Sequence, residues 1–350
     1  MTALRYKEDW EETKPRFEAW WAGEVLDRVA LAVTAPRRPC NPPQPRDDEA
    51  KYRDADFLIR FYDEVFGATY FGGEAVPAPV IMLGYAAWGG RAHFRPETVW
   101  MDPILGSDDD LSAFRFDWSN QWWAELQQLS RRLAEASRGK YLLGLAAYMT
   151  PGDALFFYLG PHQLCLDFLE RPEQLRALYR HVICVWKEMC VKQWQIIGAA
   201  EQGYTSWLNV WSPTPYSPLQ ADFTCLISKK LFDEFVAPEV HELSSWLDHS
   251  LYHLDGPGAL QHLETLLSLP RLGGIQWVPG AGQPGAMHWI PLLKRVQAAG
   301  KLLHISLAPN EVETALTELR PEGLFIQTGC GSEEEANDLL RNARRWTHAR

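Results

Sequence analysis

The chain has little that would bind it covalently or carry it into a membrane. Its six cysteines, Cys40, Cys165, Cys184, Cys190, Cys225 and Cys330, are scattered through 350 residues with no CxxC spacing. That scatter fits reduced thiols better than a disulfide framework. Cys165, Cys184 and Cys190 fall in helix-like apolar patterns and read as small core residues, which leaves Cys225 and Cys330 beside strand ends. No cluster of Lys and Arg interrupts a net charge of -11, so a phosphate-backbone partner is not expected. The longest apolar stretch, Tyr141 to Leu159, is broken by Pro151, Gly152 and Asp153. The first residues turn charged without the apolar core of a signal peptide. No membrane partner and a cytoplasmic location are the expectations. No GxGxxG follows a strand and no P-loop is present, so nucleotide-dependent chemistry loses support.

What is present is apolar and aromatic. Hydrophobic residues make up 46% of the chain, enough to bury a large core, and tryptophan occurs 16 times. Trp10, Trp20 and Trp21 recur with Tyr6 and Phe17 at helical spacing, as in a packed amphipathic helix. Trp88, Trp207, Trp211 and Trp277 lie near predicted strand ends, where they could line a cavity.

The periodicity predicts helices over 5–22, 48–66, 117–138, 154–168, 172–197, 229–248, 258–268, 288–299, 311–319 and 332–346. Strands are expected at 29–33, 80–83, 98–101, 141–147, 204–210, 223–227, 250–254, 274–278, 302–306 and 324–327. Strand-loop-helix units repeat over the C-terminal two thirds, which argues for a parallel sheet with crossover helices. The expected architecture is α/β: one domain over 1–350, a TIM (β/α)8 barrel with an N-terminal helical extension over 1–70. An open doubly wound sheet is the alternative.

In a strand-helix barrel the chemistry sits where strands give way to loops. Tyr252-His253-Leu254-Asp255-Gly256 and Thr328-Gly329-Cys330-Gly331 both end apolar runs in glycine. His253 and Asp255, two apart on a strand, point to one face. With Cys330 from a later strand they supply nitrogen, carboxylate and sulfur, a donor set that zinc accepts with one position open. Cys225 is an alternative ligand if Asp255 instead orients His253. Asp255 could equally cap the turn Asp255-Gly256-Pro257-Gly258. Asp153 and Asp222 fall at loop positions where a carboxylate could bind an amine or hydroxyl. Tyr148, Gln276, Trp277 and His304 sit near strand ends.

Several segments taken in order resemble the uroporphyrinogen decarboxylase and cobamide-dependent methyltransferase superfamily of TIM barrels. They are Gly160-Pro161 with Leu164, Leu166 and Arg171-Pro172-Glu173, then Asp222-Phe223-Thr224 with Ile227-Ser228, Phe232, Phe235 and Pro238. The zinc methyltransferases of that superfamily carry His-x-Cys after one strand and Gly-Cys-Gly after the last. Here His253 matches the histidine, Asp255 replaces the first cysteine and Cys330 matches the second. The arginine-rich substrate motif of the decarboxylases is absent.

The resemblance implies a zinc-dependent methyltransferase that moves a methyl group from a corrinoid, carried by a partner protein, to a thiol or related small-molecule acceptor. Two other readings stand beside it. One is a metal-free decarboxylase or lyase using Asp222, Asp153 or His304. The other is a non-catalytic protein that binds an aromatic or sugar ligand on tryptophans such as Trp207 and Trp211, with Tyr148, Gln276 and Trp277 nearby.

Overall fold

The computed structural model describes residues 4–348. The remaining termini of the expected 1–350 domain lie outside the described residues.

Among the described residues nine strands form: β1 (Ala30–Pro36), β2 (Thr69–Gly73), β3 (Ala92–Phe94), β4 (Val99–Met101), β5 (Tyr216–Leu219), β6 (His249–Asp255), β7 (Gly274–Val278), β8 (Leu302–Ser306) and β9 (Leu324–Gly329). Seven of them make one sheet in the order β2-β1-β9-β8-β7-β6-β5, and β3 pairs with β4. Neighbours from β1 to β5 run parallel, and β2 is antiparallel to β1. The result is an α/β fold with a largely parallel sheet, consistent with a TIM-like architecture. The strand ladder itself has two ends, β2 and β5, where a closed ring of eight was expected.

Between those ends run extended segments held by single hydrogen bonds. Leu142 N donates to Pro77 O, Ala147 N to Ile81 O and Leu145 N to Thr205 O, at 3.1, 3.1 and 2.8 Å. Two glycines permit this approach: a Cβ at Gly84 would lie 2.7 Å from Ala147 O, and one at Gly144 would lie 3.0 Å from Thr205 O. The expected strand over 141–147 is therefore extended and buried without a ladder. The expected strand over 204–210 is a turn with one bridge, Tyr204 to Ser212.

Two further strand expectations fail. Residues 80–83 lead into a 3-10 helix, Met82–Trp88, and 223–227 fall in another, Asp222–Leu226. Both runs are short and apolar, and hydrophobicity alone does not separate such a strand from a buried turn. The helix expected over 154–168 is two helices, Pro151–Leu159 and Pro161–Glu170, broken at Gly160 with φ 75° before a proline that has no N–H to donate.

The two faces of the sheet serve different cores. Leu31, Val33, Tyr252, Leu254, Ile275, Trp277, Leu303, Ile305 and Ile326 pack outward against the helices. Ala30, Ala32, Leu251, Leu302 and Phe325 face inward and meet the helix Trp10–Trp21. Phe17 and Trp20 lie against Phe325 with ring centroids 5.8 and 5.1 Å apart, and Trp21 stacks on His249 at 4.4 Å. Aromatic side chains thus plug the end of the inner face where the strands begin. Its other end is left to polar groups. No helix among the described residues is long and apolar enough to cross a membrane.

Candidate functional site

Alternation along β6 puts His253 and Asp255 on the inner face with Leu251. Gln276 on β7 stands beside His253 in register, and His304 on β8 stands beside Gln276. Nδ1 of His253 lies 2.5 Å from Oε1 of Gln276 and donates to it, which leaves Nε2 as the basic nitrogen. The edge of Trp207 meets the His253 ring at 5.3 Å. An imidazole is thereby fixed on two sides at the mouth of the sheet.

A pair of carboxylates, Asp153 and Asp222, adjoins it, and the charge of His253 acts on Asp222. Asp153 opens the helix Pro151–Leu159, and its Oδ1 accepts the Asp222 N–H at 2.8 Å. Gln220 Nε2 bridges Asp153 Oδ2 at 3.0 Å and Asp222 Oδ2 at 3.4 Å. Asp153 is buried, and burial, then the charge of Asp222, lifts its carboxyl to about 7. Asp222 is exposed at the mouth, yet the protein around its carboxyl group raises it as well, with His253 opposing and Asp255 reinforcing. No lysine or arginine figures among those charges. Tyr85 completes the cluster: burial and the charges of Asp222 and Asp153 push its phenol up.

Behind Asp153 lies a second buried acid. Glu239 is buried, and burial raises its carboxyl to about 8 against the lowering effect of the Gly152 N–H, so it is largely neutral at pH 7. Only glycine fits at 152, because a Cβ there would lie 2.7 Å from Tyr179 Oη and 3.0 Å from Glu239 Oε2. The start of the Asp153 helix is seated on that pair.

Of the residues expected at the rim, Asp153, Asp222, His253, Asp255, Gln276 and Trp207 come together. His304 belongs to the same row but lies beneath it: it is fully buried, stacked on Phe325 at 5.1 Å, with neither ring nitrogen partnered among the described residues. Burial, then His253, holds it down to about 3, so it is neutral.

The expected metal set does not assemble. Among the described residues no group of three or more His, Cys, Asp or Glu side chains is placed to hold a metal ion. Cys330 lies just past β9 with its N–H on Thr34 O, and its side chain packs against the helix-side core, whereas His253 and Asp255 face inward. Burial, then Glu335, raises its thiol, the opposite of what a thiolate ligand needs. Cys225 is exposed and its Sγ donates to Asp222 O at 3.4 Å.

Three expected binding residues are core instead. Tyr148 is buried with its hydroxyl on Gln193. Trp211 bonds Gln202 O and packs on Trp10 and Phe17, and Trp277 packs outward on Trp289. The sequence reading missed Tyr85, Gln220 and Glu239. Gln220-Ala221-Asp222 carried a signal, two polar residues at strand-like spacing, but the strand was placed after it.

No family model matches the sequence, and no curated protein matches it. Among solved structures the chain resembles a methyltransferase from Methanosarcina mazei, with a TM-score of 0.60 over 96% of this chain and 99% of that one. At 13% identity the likeness is one of fold.

Proposed function

We propose that the chain is an enzyme that transfers a methyl group to a small-molecule acceptor, and that the Asp153–Asp222 pair takes the acceptor's proton. The observation that carries this is a carboxylate pair, one member buried and the other at the mouth, beside an imidazole of fixed tautomer, with Asp153 at about 7. A base near neutrality combines a useful ionised fraction with real proton affinity. The acceptor's N–H, O–H or S–H bond gives its proton to the pair while its lone pair forms the new bond to the methyl carbon. The donor's leaving group keeps the electrons of the broken bond. His253 Nε2 is placed to bond the acceptor.

Likeness of fold to a methyltransferase supports the class of reaction, as does the order of the matching segments. A corrinoid on a partner protein is the donor that the resemblance implies. In the same reading, segments 76–81, 141–147 and 204–206, counted with β1 and β6 to β9, make up a barrel of eight. The zinc expectation requires Cys330 to leave the helix-side core, and no step is assigned to a metal.

The lyase alternative uses the same carboxylates, but a carboxylated substrate would meet Asp153, Asp222 and Asp255 with no lysine or arginine acting on Asp222. A neutral or cationic acceptor suits this mouth better. The test is methyl transfer from methylcobalamin to thiol and amine acceptors, with metal analysis of protein purified without chelator. Turnover that survives chelation and is lost in Asp153→Asn supports the proposal. Turnover unchanged in Asp153→Asn overturns it.

A further inference from the structure

Where β1, β8 and β9 end lies a cavity of about 370 Å³. Its polar lining is Thr34, Asn209, Ser306, Gln327 and Thr328, with Phe71 and Val76 on the apolar side, and no charged residue among those described borders it. Asn209 is the single non-glycine residue among them with a left-handed backbone, φ 54°. Its Oδ1 is buried and finds no hydrogen-bond partner among the described residues. A left-handed residue whose amide oxygen is left unpaired within a cavity wall is not explained by packing alone.

One turn links the cavity to the site already described. Trp207 and Asn209 share one tight turn, closed by the Asn209 N–H on Ser206 O at 3.0 Å. Trp207 stands on His253, and Asn209 lines the cavity. Ser306 is two residues past His304 on the same face of β8, roughly 7 Å further along the strand.

We propose that this cavity binds an uncharged, hydroxyl-rich group of the substrate, such as a sugar or polyol ring, with the Asn209 side chain in its wall. An anion would find no cation there, and a cation no carboxylate. An apolar group would leave these hydrogen-bonding side chains unpaired, which costs more than a missing methyl group does. The hydroxyls of a ring suit the amides and hydroxyls, and its C–H face suits Phe71 and Val76. The inference rests on the enzymatic reading only for which end of the substrate reacts.

Titration of the full chain with methyl β-D-glucopyranoside and myo-inositol, read by tryptophan fluorescence and calorimetry, tests it. Glucuronate and glucosamine serve as charged counterparts. The neutral probes should bind at least about tenfold more tightly than the charged ones. Asn209→Gly should weaken that binding about tenfold or more without lowering the melting temperature, because glycine accepts the left-handed backbone. Asn209→Asp, which keeps an acceptor, should retain more binding than Asn209→Gly. Asp153→Asn should leave probe binding intact whatever it does to turnover, so failure here is distinct from failure of the methyl-transfer reading. No binding of either neutral probe, preference for a charged one, or binding unaltered in Asn209→Gly overturns the proposal.

Discussion

Two histidines of β6 stand two pleats apart on the same face and meet opposite surroundings. His249 lies flat on Trp21, ring planes 15° apart, and burial lowers its pKa. His253 meets Trp207 edge-on at 86°, bonds Gln276 and acts on the Asp222 carboxylate. The first is filler in an aromatic plug, and the second is a positioned base or donor. Height along the strand decides which, because the helix Trp10–Trp21 closes one end of the inner face and leaves the other open. Stability and chemistry are thereby assigned to opposite ends of the same strands.

The comparison breaks most sharply at the open end. Asp153→Asn should cut turnover by about 10²–10⁴-fold, the usual worth of a positioned acid or base, with little change in global structure by circular dichroism. At the closed end, Trp20→Ala should destabilise by about 3–5 kcal/mol in urea denaturation, since it empties a fully buried site against Phe325. Residual turnover per folded molecule should be preserved there. A mutation at either end that produced the other end's phenotype would dissolve the division.

The pH dependence sharpens it further. The Asp153 carboxyl is raised above its unfolded value, so its contribution to stability is full below about pH 4 and is lost as pH climbs through about 7. Asp153→Asn should therefore melt higher than the parent at pH 8, by at least about 2 °C, and the advantage should vanish at pH 4. Activity should follow the opposite course: if the pair is the base, kcat/KM rises with pH through about 7. A flat profile from pH 5 to 8 would remove the pair from that role. The smallest expected effect is at Cys330→Ser, within about 0.5 kcal/mol in stability and without loss of turnover, since that side chain faces away from His253. Loss of bound zinc and activity in that variant would restore the metal reading.

Much of the frame was legible. β7 and β8 fall at the expected residues, and β6 and β9 differ only at their ends, because buried parallel strands read as apolar runs punctuated by turns. The helix Pro172–Ile197 starts at its proline and stops before Gly198, as capping chemistry dictates. β2 and β5 were not legible: Tyr70 and Phe71 among glycines, and Tyr216 and Leu219 around Pro218, show no alternation strong enough to mark a strand. Asp153, Asp222, His253 and Gln276 were found because each is a polar residue ending an apolar stretch. The same rule selected Cys330, Trp277 and Tyr148, which turn to the helix side.

Alone, the order of residues determined the parallel α/β frame, the polar positions at the strand ends and the aromatic helix at the start. Tertiary structure alone decided which of those polar residues share a face and how deeply each is buried. The physical reason is that period and punctuation are local properties of a chain, whereas burial and neighbouring charge, which lift Asp153 and press down His304, arise only when distant segments meet.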